Sequence, residues 1–200
     1  MSTAPALKYK SIEEYLELEE KSLEKNEYYQ GEIFAMAGAS FAHNQIVGNV
    51  MVDIGQFLRD KKCRIFPSDL KVHIESNSLF TYPDLSIICG KPEFWNNRTD
   101  TILNPLVIIE VLSPATKDYD HGEKFTLYRN IASLKEYILI SSTEVRLEQY
   151  IKQAPNEWKF IEYQSAEEEI TIPTISFSTL LQEFYRDVDF SLAKETPPLR

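Results

Sequence analysis

The chain is short of several residue types, and each shortage removes a class of protein. It holds 2 cysteines in 200 residues. Cys63 and Cys89 match no zinc-ligand or redox spacing, so both read as reduced thiols packed as small hydrophobes. No apolar run approaches the ~20 residues of a membrane span, and the opening MSTAPALKYK has no apolar core of signal-peptide length. The expectation is a cytoplasmic protein without membrane contact. With only 6 glycines, no Gly/Ser/Pro linker, no low-complexity tract and no internal repeat, nothing divides the chain. Residues 1–200 therefore read as one domain, with an N-terminal helix in 1–25, a core in 26–142, a hairpin and C-terminal helix in 143–190, and a loose tail in 191–200. Positive charge is also scarce, with 21 Lys and Arg against 31 Asp and Glu, for a net charge of −10. That balance argues against a protein that coats nucleic acid non-specifically. It leaves room for a phosphate substrate if a divalent cation and a local basic patch offset the field.

What is present builds a substantial core, since 43% of residues are hydrophobic and 12% aromatic. Ser11 and Glu14 make a capping box for a short helix, SIEEYLELEEKS. EYYQGEIFAMAG reads as a strand entered through a turn near Gly31. From the N-cap Ser40 the clearest helix begins, with Ile46, Val47, Val50, Met51, Ile54, Phe57 and Leu58 at three-and-four spacing. CRIF and DLKVHIE read as one strand kinked at Pro67, followed by the strands PDLSIICG and PLVIIEVL. DHGEKFTLYRNIA reads as a helix and KEYILIS as a strand. EVRLEQYIKQ with NEWKFIEYQ form a hairpin, and EITIP is a last strand before the helix FSTLLQEFYRDV. The central order of helix, three strands, helix, strand predicts an α/β fold with a mixed-sheet core and added antiparallel hairpin strands.

The residue that stands out is Glu110. It lies in LVIIEVL with large apolar neighbours on both sides, and such a strand is covered on both faces. A lone carboxylate there must neutralise or meet a cation. On a wheel of about 100° per residue, Lys124 falls on the same side of the following helix as Leu127, Tyr128 and Ile131, in the middle of its apolar stripe. Asp120 shares that side. Carboxylate and ammonium are thus each misplaced by pattern within one strand–loop–helix unit that includes Ser113. Asp84, directly after Pro83 at the entry to PDLSIICG, converges with Glu110 if the two strands are neighbours. Two such carboxylates suit a hard divalent ion such as Mg²⁺, which keeps several waters and binds through one or two carboxylates. The bland readings are a buried salt bridge that only fixes packing for Glu110 and Lys124, and a turn or cap role for Asp84.

GEIFAMAGASFAHNQI, FPSDLKVHI, TYPDLSIICG, VIIEVLSPATKDYDHGEKFTLYR and LKEYILIS together resemble the Uma-type family of restriction endonucleases, within the PD-(D/E)XK nuclease superfamily. The resemblance covers nearly the whole chain. It implies a restriction-endonuclease-like core and Mg²⁺- or Mn²⁺-dependent phosphodiester cleavage in DNA, with Asp84 and Glu110 as metal ligands. It departs from the superfamily pattern where a lysine is expected two residues beyond the glutamate, because Leu112 stands there. The family's relocated lysine matches Lys124, and Lys71, on a polar strand face with Asp69 and His73, is the other candidate. Glu32 matches a position that adds a glutamate to the metal shell, against plain solvent exposure. His43, in the first turn of its helix, also matches a family position. Tyr128 belongs to the matched D…GEK…Y pattern, and Asp120 either caps its helix or touches the metal. His121 reads as an exposed turn residue. Lys61, Lys62, Arg64, Lys117 and Arg129 are the basic residues available to steer a phosphate backbone. The rival expectations are a catalytically silent nuclease-fold domain acting as a homodimeric binding module, and a metal-dependent hydrolase of a small phosphate ester.

Overall fold

The computed structural model describes residues 9–36, 38–114 and 119–193. The tail KETPPLR and Lys117 lie outside them.

Ser11 caps α1 (Ile12–Glu19), and the capping box is formed in full, with its hydroxyl accepting from Glu14 N–H and the Glu14 carboxylate accepting from Ser11 N–H. The chain then makes a hairpin, β1 (Asn26–Tyr29) and β2 (Glu32–Ala35), where the sequence read a single strand. Gln30 and Gly31 both have positive φ, 47° and 97°, which is the two-residue turn geometry that favours glycine. Gly31 also has no room for a side chain, since a Cβ there would stand 2.6 Å from Tyr9 Cδ1.

Ser40 caps α2 (Phe41–Leu58) by accepting from His43 N–H at 3.2 Å. Ile46, Val50 and Ile54, one helical face, are fully buried. The segment read as one strand kinked at Pro67 is two strands in different sheets, β3 (Cys63–Pro67) and β4 (Lys71–Ile74). After β5 (Leu79–Thr81) come β6 (Leu85–Cys89), the two-residue β7 (Thr101–Ile102) and β8 (Val107–Leu112). A π-turn over Asp120–Lys124 leads into α3 (Phe125–Tyr128), so the expected helix is shorter and wider at its start. β9 (Glu136–Ser141) follows, then the hairpin β10 (Leu147–Ala154) and β11 (Glu157–Tyr163), and β12 (Glu169–Ile172). The expected last helix is half strand: Phe177–Leu180 forms β13 against β12, and only Leu181–Phe184 is helical, as α4.

A six-stranded sheet ordered β11-β10-β9-β8-β6-β3 carries the predicted core, with β8 and β9 parallel and the other pairs antiparallel. A five-stranded sheet, β2-β1-β5-β4-β7, collects the strands the pattern did not separate. Strand alternation sorts β8 between two cores. Val107, Ile109 and Val111 pack with the apolar face of α2 and with Leu181 and Phe184 of α4. Ile108 and Leu112 face the other way, toward Val72, Ile74 and Leu79 of the second sheet and Tyr128 of α3. Glu110 shares the parity of Ile108 and Leu112, so its side chain is aimed at the α3 side.

The register of β3 on β6 sets Cys63 opposite Cys89, and their sulfurs are joined in a disulfide. This corrects the expectation of two reduced thiols. Pairing across strands depends on register, which the 26-residue separation alone does not reveal. Among the described residues no helix is long and apolar enough to cross a membrane.

Candidate functional site

The antiparallel pairing of β6 with β8 sets Leu85 opposite Ile109, so Asp84 and Glu110 sit at adjoining positions of neighbouring strands. Two reciprocal bonds lock them. Asp84 N–H donates to Glu110 Oε2 at 3.1 Å, and Val111 N–H donates to Asp84 Oδ2 at 2.7 Å. His43, held in the first turn of α2 by the Ser40 cap, places Nε2 3.1 Å from Asp84 Oδ2.

Lys124 comes in from the π-turn. Its Nζ is 2.9 Å from Glu110 Oε1, 3.5 Å from Asp120 and 3.5 Å from Glu27. Glu110 is 4% exposed and Lys124 6%, so the two misfits of the sequence do answer each other inside the protein. Tyr128, one turn beyond, donates its hydroxyl to Glu110 Oε1 at 2.8 Å. Asp120 and Lys124, four residues apart, both point inward from this widened turn, and such turns recur at functional sites.

Burial pushes the Glu110 carboxyl up to about 8, the nearby Lys124 pulls it down, and Asp84 and Asp120 raise it again. For Lys124 burial disfavours the ammonium, yet Glu110, with Tyr128, Glu27 and Asp120, outweighs it and holds its pKa well above the ordinary lysine value. One firmly held cation therefore faces several carboxylates, and that crowding adds to burial in raising the Glu110 carboxyl. Lys124 is an electrostatic group here, since a lysine so firmly protonated does not serve as a base near neutral pH.

His43, Asp84, Glu110, Asp120 and Lys124 line a cleft of about 480 Å³ together with Glu27, Tyr29, Phe34, Met36, Tyr82, Ser113, Tyr119, Glu123 and Leu127. Of the sequence-predicted residues, the structure gathers Asp84, Glu110, Lys124, His43, Asp120, Ser113 and Tyr128. It does not gather Glu32, which is exposed on edge strand β2 and outside the cleft lining. Asp69 is exposed too and pairs with Lys25 at 2.7 Å. Lys71 is buried elsewhere: its Nζ lies 5.5 Å and 5.4 Å from the rings of Tyr15 and Tyr82, in a second pocket with Arg98 and Asp100. Burial lowers its pKa, and Asp100 raises it again. Among the candidate lysines it is Lys124 that reaches the paired acids. His121, read as an exposed turn residue, is half-buried and places Nε2 3.0 Å from the Glu148 carboxylate.

Glu27 is the charged group beside Lys124 that sequence reasoning missed. It is buried, 3.5 Å from Lys124, and accepts a short hydrogen bond from the Thr81 hydroxyl. Its signal was the same kind as that of Glu110: a carboxylate in the aromatic strand NEYY.

Asp84 Oδ1 takes no hydrogen bond from the described residues, and Glu110 Oε2 takes one N–H. Two carboxylates with acceptor capacity left, facing an open cleft, fit a Mg²⁺-like ion that keeps most of its water. Among the described residues no three His, Cys, Asp or Glu stand close enough to hold a metal by themselves, so a fully protein-built cage is not what this site offers.

The profile of the Uma2 family, described as "Putative restriction endonuclease", matches residues 12–182. Two uncharacterized proteins of Synechocystis sp. are similar along most of their length. One, slr1290, is 37% identical over 180 residues, which is 90% of this chain and 93% of that protein. The other, sll1609, is 35% identical over 170 residues, covering 85% of this chain and 96% of its own. The fold is shared with a crystal structure from Anabaena variabilis described as "a putative nuclease belonging to DUF820". It superposes with a TM-score of 0.73 at 17% identity, over 92% of this chain and 99% of that one.

Proposed function

Because the chain belongs to the nuclease-like Uma2 family, we propose that its buried acid–lysine cleft is a metal-dependent phosphodiesterase centre acting on DNA. The observation that carries this reading is the meeting of Asp84 and Glu110 across β6 and β8 with Lys124 2.9 Å behind Glu110. In this reading Asp84 and Glu110 hold Mg²⁺ or Mn²⁺. Such an ion, when bound, polarises the scissile phosphate and lowers the pKa of a coordinated water.

The chain's own residues supply the rest. His43 fixes the rotamer of Asp84, and the Val111 N–H holds the same oxygen, leaving Oδ1 aimed for a ligand. Tyr128 and Lys124 hold Glu110 Oε1 in the same way, leaving Oε2 on the Asp84 side. Lys124 stays protonated and offsets charge that accumulates on the phosphoryl oxygens during attack. The low-dielectric walls around it strengthen that effect.

Purified protein incubated with plasmid and Mn²⁺ is expected to nick or linearise it, and Asp84→Ala is expected to abolish the cleavage. Cleavage that persists unchanged in Asp84→Ala would remove the mechanism. A second reading, a silent binding module, is favoured by one feature: Glu110 Oε1 is already engaged by Lys124 and Tyr128. Calorimetric titration with Mn²⁺ separates the two, since a silent pair shows no stoichiometric binding.

A further inference from the structure

We infer that the strand this centre accepts is single-stranded, entering with an unpaired base laid against Phe34 and Tyr29; the inference rests on the function proposed above. Three features of the cleft carry it.

The first is charge. Glu27, Asp84, Glu110, Asp120 and Glu123 line the cleft, and among the described residues no arginine does and Lys124 is the one lysine, committed to three of those acids. A duplex is gripped through many phosphate contacts to Lys and Arg at once, and a cleft with this lining cannot supply them. Among the described residues, the basic candidates for steering a backbone lie elsewhere. Lys61, Lys62 and Arg64 follow the far end of α2, roughly 25 Å along the helix axis from His43. Arg129 is taken up over the ring of Phe125.

The second feature is the apolar part of the lining. Tyr29, Phe34, Met36 and Leu127 contribute to it. Phe34 is 48% exposed on an edge strand, with no apolar neighbour across it: its partner in the β1–β2 register is Glu27, the residue that reaches Lys124. A ring left half in water beside the site is a stacking platform, and every base has a face to offer it. The third is size. About 480 Å³ is the volume of a small-ligand pocket, suited to one nucleotide and too small to admit a double helix. A duplex presents phosphates and hides its bases, whereas this cleft presents apolar walls and hides its cation.

The test compares an end-labelled oligonucleotide alone with the same strand annealed to its complement, both with Mn²⁺. The single strand is expected to be cut with kcat/KM about tenfold higher or more. Phe34→Ala should raise KM for the single strand about tenfold with kcat little changed, and Phe34→Trp should restore it. Binding is read separately by fluorescence anisotropy in the Asp84→Asn variant, where no turnover intervenes. Single strand should bind more tightly than duplex, with a shallow salt dependence, and Phe34→Ala added to that variant should weaken it by the same factor. Equal or better binding and cleavage of duplex, or a KM and anisotropy indifferent to Phe34→Ala, overturns the inference and leaves the proposed function standing. Absence of cleavage of either substrate overturns the proposed function and this inference with it.

Discussion

Lys124 is surrounded by Glu110, Glu27 and Asp120 within 2.9–3.5 Å, so its removal strands several carboxylates inside the protein. Lys124→Met is expected to destabilise by about 3–5 kcal/mol, the cost of breaking a buried pair from one side. The double variant with Glu110→Gln should lose clearly less than the sum of the singles, because the strongest of the stranded charges is gone. Urea unfolding of the four proteins measures the coupling. Glu110 also sets a pH dependence. Its carboxyl is raised from 4.5 to about 8 in the folded protein, so within that window the native state holds a proton that the unfolded chain has released. The stabilisation is complete below 4.5 and is lost as pH rises through about 8. Stability is therefore expected to fall across the window, by at most ~1.4 kcal/mol per pH unit from this group. Denaturation midpoints at its two ends should differ, and Glu110→Gln should flatten the difference.

At the scale of elements, the β1–β2 hairpin carries both Glu27 and Phe34 to the cleft, and it turns on Gly31. Gly31→Ala must place a Cβ at φ 97° and 2.6 Å from the Tyr9 ring. A loss of about 1–3 kcal/mol is expected by thermal denaturation, without loss of fold. That hairpin also shows where the sequence stopped being legible. α2 and β8 were readable because each has a strong period and one dominant environment: a helical stripe for α2, apolar cover on both faces for β8. The pairing of Asp84, Glu110 and Lys124 followed, since charges inside such elements are conspicuous. β1, β2, β4 and β5 are three or four residues long, too short for a period to separate them. Their assignment to a second sheet is decided by pairing partners distant in sequence. The break of β3 from β4 after Pro67 and the strand β13 inside an apparent helix have the same cause. Glu32 and Lys71 belong to these short strands, and neither lines the cleft.

At the scale of the molecule, a net charge of −10 sits on a fold whose candidate site lysine, Lys124, is buried. Such a field repels polyanions and attracts divalent cations, so the balance that seemed to count against a nuclease also concentrates the ion the site is proposed to use. The two carboxylates are contributed by strands that stay paired only in the folded sheet, so an ion bridging them binds the native state and not the unfolded chain. Mass action then turns binding into stability. Free Mn²⁺ at a hundredfold excess over its Kd is expected to add about 2.7 kcal/mol to unfolding, with a matching rise in Tm. Ca²⁺, which also takes oxygen ligands, should stabilise in the same sense. Asp84→Asn should remove most of the effect while leaving the metal-free protein close to wild type, because the amide oxygen can still accept from Val111 N–H. A Tm that ignores Mn²⁺ in the wild type, or rises equally in Asp84→Asn, would show that the ion binds elsewhere on the acidic surface, and the paired acids would then be structural.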